Sequence, residues 1–191
     1  MRLFVAFDLP DEVRSALGEL IAQLKPLCRA ARWARPEGMH VTLKFIGHVI
    51  ADGETERLDA VRAALAAVQS SEPVEIRYRG VGFFPDARRP RVFWCGVEAS
   101  ANLATLAADI ELGLEPVGIP REARAFVPHL TLARFKSPEG VDALARSAAE
   151  WASHDFGPAT ETKFHLFESL LKSGGAEYRK IESYSFVGPR V

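Results

Sequence analysis

Cysteine is nearly absent from this chain of 191 residues: Cys28 and Cys95 are the only two, and no C-x-x-C spacing links them. Neither a disulfide framework nor a cysteine-ligated zinc site is indicated, and both thiols read as small buried hydrophobes in a reducing compartment. Long apolar runs are missing as well, so no segment approaches the roughly 20 residues of a membrane span. The opening Met1-Arg2-Leu3-Phe4-Val5-Ala6-Phe7 meets Asp8 and Pro10 too soon for a signal-peptide core and reads as a first strand. Excess charge of either sign is lacking too, with 24 Lys and Arg against 25 Asp and Glu. A global basic field, such as a dedicated duplex-DNA binder shows, is therefore excluded. A Gly-rich phosphate loop of the Walker type is missing, which argues against ATP use. What these absences leave is a cytoplasmic globular protein.

Its hydrophobic fraction of 48% and charged fraction of 26% are ordinary for such a protein. The length suits one domain over residues 1–191, or two small lobes sharing a core. Arg2–Phe7 is rich in β-formers; after Asp8-Leu9-Pro10, the residues Val13, Leu17, Leu20, Ile21 and Leu24 recur at helical spacing until Pro26. A short strand is expected at Arg32–Ala34, a turn at Pro36-Glu37-Gly38, and a strand over Met39–Ile46 closed by Gly47. Helical spacing returns from Asp52 to Val68, then strands over Val74–Val81 and Arg91–Val97. Ser100 is placed to cap a helix carrying Leu103, Leu106, Ile110 and Leu114. A loop over Pro116–Arg124 leads to a strand at Phe126–Phe135, a helix over Val141–Ala152, and strands at Thr160–Leu171 and Tyr178–Val187 joined by Ser173-Gly174-Gly175. Consecutive strands pair antiparallel, which favours α+β over a doubly wound parallel sheet.

Two of these strands nearly repeat each other. His40-Val41-Thr42-Leu43 and His129-Leu130-Thr131-Leu132 each set a histidine two residues before a threonine, and positions i and i+2 of a strand share one face. One such copy alone reads as structural. By background residue usage a chance repeat should occur in well under ~1% of chains this long. Histidine gives and takes protons near neutrality, so a pair can divide the work of phosphodiester cleavage: one takes a proton from water, the other gives one to the leaving oxygen. Thr42 and Thr131 supply hydroxyl donors for a phosphate, and Arg134 a planar charged fork. Position 134 is an odd step from 129, so a bulge or strand end near Ala133 is needed to aim it inward.

The other histidines, His48, His154 and His165, read as structure or surface. A zinc site built on His40 and His129 lacks a third ligand of matching position, and threonines are poor zinc ligands. Metal-free acid–base catalysis fits better. Arginines gather at Arg29, Arg32 and Arg35, at Arg88, Arg89 and Arg91, and around the second motif at Arg121, Arg124, Arg134 and Lys136. Any one group alone reads as solvated surface, and the last is the strongest candidate for contact with nucleic acid.

The doubled His-x-Thr pattern resembles the 2H phosphoesterase superfamily, in particular its LigT/ThpR branch, the RNA 2′,3′-cyclic 3′-phosphodiesterases also called 2′-5′ RNA ligases. The likeness spans nearly the whole chain. It is carried by Met39-His40-Val41-Thr42-Leu43-Lys44-Phe45-Ile46-Gly47 and by Pro128-His129-Leu130-Thr131-Leu132-Ala133-Arg134, with weaker support from Arg2–Ala6, Phe84-Pro85, Pro90-Arg91-Val92, Trp94, Glu168-Ser169, Gly175 and Tyr178. The arginine after the second copy has no counterpart after the first. The resemblance implies a bilobed α+β fold of two pseudo-symmetric lobes of antiparallel sheet, with helices outside and a central cleft. It implies hydrolysis of RNA 2′,3′-cyclic phosphate ends to 2′-phosphates without metal or cofactor. His40 would then be the proton donor, His129 the proton acceptor, and Thr42, Thr131 and Arg134 the phosphate ligands. The expected partner is an RNA end or a small cyclic nucleotide, bound by a monomer. Ligation of 2′-5′ ends, cleavage of 2′-5′ linkages, or mere binding of RNA ends are the alternatives.

Overall fold

Along the strand that begins at Val74, the residues Val74, Ile76 and Tyr78 are buried while Glu75, Arg77 and Arg79 face solvent, the period of two that a half-covered sheet imposes. The computed structural model describes residues 1–48, 54–70, 72–137, 139–172 and 175–186. Its strands are β1 (Arg2–Phe7), β2 (Arg32–Trp33), β3 (Val41–His48), β4 (Val74–Phe84), β5 (Val92–Ala99), β6 (His129–Arg134), β7 (Asp155–Glu161), β8 (Lys163–Lys172) and β9 (Gly175–Ser185). The helices are α1 (Asp11–Leu24), α2 (Glu54–Ala66), α3 (Asn102–Leu114) and α4 (Val141–Ala148). The result is an α+β fold, as the strand order in the sequence suggested. Among the described residues no helix is long and apolar enough to cross a membrane.

The strands form one sheet in the order β7-β4-β5-β6-β3-β1-β8-β9, with β2 paired to β6 beside this path, and every pairing is antiparallel. Four strands lie on each side of the junction between β6 and β3, and that junction is a single residue pair, Val41 opposite Leu130. The two motif strands are thus the inner strands of two half-sheets. On one face Leu3, Val5 and Phe7 join the main core with Leu17, Leu20, Leu103, Ile110 and Leu144 from the helices. On the other face Phe4, Ala6 and Phe167 form a separate small apolar floor. Burial against helices stabilises one side, and the other is left open for a site.

Several elements depart from expectation for physical reasons. The single strand expected over Thr160–Leu171 is two, β7 and β8, broken at Thr162. Gly157 and Pro158 disguise β7, yet β7 is the outermost strand of its half, where proline is tolerated. β4 runs on past Gly80 and Gly82 to Phe84; Gly80 sits at φ 70° with a register shift beside it, so the glycines mark a bend within the strand instead of its end. Ser100 does not cap α3. Its hydroxyl accepts from the Glu75 N–H and donates to Asn102 Oδ1, tying the helix start to β4, while Ala101 stands at the cap. Asp52, Val187 and the Ser173-Gly174 part of the expected turn lie outside the described residues.

Lys44 on β3 is fully buried, an unusual place for an ammonium. Its Nζ donates at 2.7 Å to Glu111 Oε2 on α3 and at 2.7 Å to the Pro120 carbonyl, in the loop that leads to β6. Glu111 also accepts the Glu122 N–H at 3.2 Å. The first motif strand thereby holds the approach to the second. Removing one partner of a buried pair leaves an uncompensated charge and costs about 3–5 kcal/mol. Lys44→Ala is expected to lower the unfolding free energy by that order in urea titrations, and Lys44→Met, which keeps the methylene packing, by less.

Candidate active site

The Val41–Leu130 pair sets the register of the motif strands, and antiparallel counting from it places His40 opposite Thr131 and Thr42 opposite His129. Residues directly opposite share a face, so the two histidines and two threonines make a four-cornered array with like residues on the diagonals. Diagonal neighbours in such a pair are about 7–8 Å apart. That gap is wide enough for one phosphate between two imidazoles. All four side chains are partly exposed.

Both imidazoles are oriented in the same way. His40 Nδ1 lies 2.8 Å from the Gly38 carbonyl oxygen and His129 Nδ1 lies 2.9 Å from that of Val127, in each case two residues back. A carbonyl only accepts, so each Nδ1 carries a proton and donates it. The proton that is free to move therefore belongs to Nε2 in both rings. Aromatic rings hold them from the side. Phe4 lies 4.6 Å from the His40 ring and Tyr178 stands edge-on at 4.9 Å, while Phe84 meets His129 edge-on at 5.1 Å. Phe84 in turn packs at 5.1 Å on Trp94, whose indole lies so close over Gly82 that any Cβ there would collide with it.

The extra residue that Arg134 requires is present. On β6, Thr131 pairs with Trp94 and Ala133 with Phe93, so Leu132 is a bulge. Leu132 and Ala133 are both buried as a result, and Arg134 pairs with Val92, on the pleat that also carries Trp94 and Thr131. The Arg134 charge is felt at His40. β3 bulges at the corresponding residue: Thr42 pairs with Ala6 and Lys44 with Val5, leaving Leu43 over. The residue that matches Arg134 is then Phe45, opposite Phe4 and 54% exposed. The sequence reading gave Phe45 no role. An aromatic residue exposed one bulge beyond a motif histidine was the signal available.

Burial pushes the His40 imidazolium down to about 4; the Gly38 carbonyl opposes this, and the Arg134 charge adds to it. Beside the ring opens a cavity of about 220 Å³ lined by Asp8, Arg14, Gly38, Phe167, Tyr178 and Lys180. Burial alone would raise the Asp8 carboxyl, but hydrogen bonds from Lys180, the Leu9 N–H and Arg14 outweigh it and hold Asp8 at about 2. His165 lies on the open face opposite Ala6 but is buried, with Nδ1 2.8 Å from Ser183 Oγ, and burial lowers it to about 4. His154 packs against Trp151 and Phe156, and His48 is exposed at the end of β3. Arg121 and Arg124 are exposed in the loop before β6, and Arg88 and Arg89 in the loop before β5.

The sequence matches the model of the 2′-5′ RNA ligase superfamily over residues 9–166. The chain belongs to that superfamily. Curated relatives extend the match to nearly full length. The RNA 2′,3′-cyclic phosphodiesterase of Thermus thermophilus is 35% identical over 98% of this chain and 91% of its own, and that of Aquifex aeolicus 30% identical over 98% of each. Among solved structures, TT0787 of Thermus thermophilus superposes with a TM-score of 0.79 at 31% identity, covering 100% of both chains. The Escherichia coli LigT complex with 3′-AMP superposes at 0.75 and 24% identity over 97% of each chain, a likeness of fold.

The titrations at this site have a consequence for stability. His40 and His165 take up protons in the unfolded chain near pH 6.5 but in the folded one only near pH 4, so folding stability is present above 6.5 and lost as pH falls through that window. Glu161 acts oppositely: burial first, then the Asp8 charge, raises its carboxyl to about 7, so it gains stability as pH falls from 7. Urea midpoints should fall between pH 6.5 and 4.5 with a net slope of about one proton. Glu161→Gln should steepen that slope toward two. In NMR titrations, His40 of the free protein should titrate near pH 4, and inorganic phosphate should shift it upward.

Proposed function

We propose that the chain hydrolyses RNA ends carrying a 2′,3′-cyclic phosphate to 2′-phosphomonoesters by acid–base catalysis shared between His40 and His129. The observation that carries this reading is the diagonal array itself, in which two imidazoles on one face both have Nδ1 tied to a carbonyl and leave Nε2 for the substrate. His129 Nε2 takes a proton from water as the water oxygen bonds to phosphorus. The P–O3′ bond breaks, and His40 Nε2–H gives its proton to the departing O3′. The product has a 2′-phosphate and a 3′-hydroxyl, and both rings regain their starting states by exchange with solvent. Thr42, Thr131 and Arg134 hold the non-bridging oxygens.

Burial and Arg134 leave His40 neutral in the empty site, so a donor at this position must be charged together with substrate binding. The anionic phosphate offsets the Arg134 charge and favours the imidazolium, which supplies the missing proton affinity where it is needed. The low value for His40 also favours a second reading in which His40 is the base and His129 the acid. A substrate with sulfur in place of O3′ separates the two, since a thiolate leaves without a proton. It should restore turnover in whichever alanine variant lacks the acid, and the first reading requires that to be His40→Ala.

Each histidine flanks a threonine where a metal would need a better ligand, which supports catalysis without metal. Both cysteines are free and buried, which supports work in a reducing cytoplasm. Phosphorus NMR on an RNA ending in a cyclic phosphate should show the 2′-phosphate, undiminished by EDTA. His40→Ala and His129→Ala should each lower kcat about 10²–10⁴-fold. Retained turnover in either variant, or loss with EDTA, overturns the reading; tight binding with no turnover in the wild type points to a binding module. A product joined 2′-5′ would mean that the reverse reaction dominates.

The exposed ring of Phe45, on the face of the site and 6.3 Å from Phe4, offers a stacking surface for a nucleobase. Base–aromatic stacking contributes about 1–3 kcal/mol. Phe45→Ala is therefore expected to raise KM for cyclic nucleotides about tenfold with little change in kcat.

A further inference from the structure

Strand β2 is two residues long and pairs with the far end of β6: Arg32 stands opposite Arg134, and Trp33 opposite Ala133. The second row points into the core. Trp33 meets Phe93 edge-on at 6.0 Å, its indole N–H donates to the Cys28 carbonyl at 2.9 Å, and Ala133 and Phe93 are fully buried. Neighbouring residues of a strand alternate in face and paired residues share one, so Arg32 and Arg134 both project from the open face. That face carries Thr131 and the two histidines. Both arginines are exposed, and no carboxylate among the described residues pairs with either.

Directly opposed residues have Cβ atoms about 4.5–5.5 Å apart, and like charges at that spacing repel. Where an arginine is directly opposed by a carboxylate it forms an ion pair with it, as Arg179 does with Glu168 across β8 and β9. Two unmatched guanidiniums side by side at the edge of a phosphate site gain stability when an anion lies between or across them. The guanidinium charge that reaches His40 is that of Arg134. Arg32 stands across from Arg134, in line with His40 on the β2–β3 side of β6.

We infer that Arg32 holds the phosphodiester that precedes the terminal cyclic phosphate, so that the Arg134–Arg32 pair follows an RNA strand out of the site. The inference rests on the proposed activity for its substrate class, and it makes Arg32 a determinant of preference for an oligonucleotide end over a mononucleotide. A mononucleotide has one phosphate and leaves Arg32 unused. A dinucleotide with a free 5′-hydroxyl and a cyclic phosphate end has two.

The test compares Arg32→Gln with the wild type on a nucleoside 2′,3′-cyclic monophosphate and on that dinucleotide, over a series of NaCl concentrations. The variant should lose about tenfold in kcat/KM on the dinucleotide and less than twofold on the mononucleotide. The slope of log kcat/KM against log salt on the dinucleotide should become shallower by about 0.7, one single-strand contact. Arg32→Lys should recover part of the loss, and unchanged thermal unfolding marks both variants as folded. Equal losses on the two substrates would assign Arg32 to the reacting phosphate and overturn the inference, as would no selective loss on the dinucleotide. If the wild type turned over neither substrate, the proposed activity would fail by itself. Calorimetric binding of the 2′-phosphorylated mononucleotide and dinucleotide then reads the same contrast: a loss confined to the dinucleotide supports the role of Arg32, and its absence overturns it.

Discussion

One backbone pairing, Val41 with Leu130, joins the halves of the sheet, and the chemistry of the open face depends on where it falls. Each of the two residues follows a motif histidine. Had the strands met one residue out of register, a histidine of one strand and a threonine of the other would have turned to opposite faces, because the period of a strand is two. A slip of two would keep the face but break the diagonal arrangement. The helices that bury Leu3, Val5 and Phe7 on one side, and the Lys44–Glu111 pair that ties β3 to the approach of β6, hold this narrow contact in place.

The halves on either side are matched in plan and differ in detail. Both motif strands carry a bulge one residue after the threonine, at Leu43 and Leu132, and in both the bulge returns the third residue after the threonine to the open face. The second copy places Arg134 there and the first places Phe45. A cyclic phosphate attached to a nucleoside has one charged end and one flat apolar end. A symmetrical pair of arginines or of phenylalanines would serve only one of them. On the proposed function, divergence at this one pair of positions would let a doubled scaffold receive an asymmetric ligand.

Much of this was legible before any coordinates, because the signals are periodic. The His-x-Thr copies announced strands with both polar side chains on one face, and the parity of Arg134 announced a bulge or strand end close to Ala133. Legibility failed where tertiary context overrides local preference. β7 is hidden by Gly157 and Pro158, residues that a central strand would not tolerate but an edge strand does. Ser100 has the chemistry of a helix cap, yet a neighbouring strand offers its hydroxyl a better-placed donor in the Glu75 N–H. The equivalence of Phe45 with Arg134 needed the register of β1 on β3, which no local pattern encodes. Arg32 looked like surface for the same reason: its significance lies in what stands opposite it.

The electrostatics of the site follow from this geometry. Phe4, Tyr178 and the floor made by Phe167 exclude water around His40, and a guanidinium on the same face adds to the cost of charging it. An imidazolium there is unfavourable until an anion arrives. In the proposed reaction substrate charge would do two things at once: compensate the arginine and make protonation of His40 favourable. In that reaction the site would not be charged in advance of binding, and part of the phosphate's interaction energy would go into the protonation that the departing alkoxide requires. The same aromatic burial that holds the imidazole in position makes its protonation depend on the substrate, so packing and acid–base chemistry cannot be altered separately at His40.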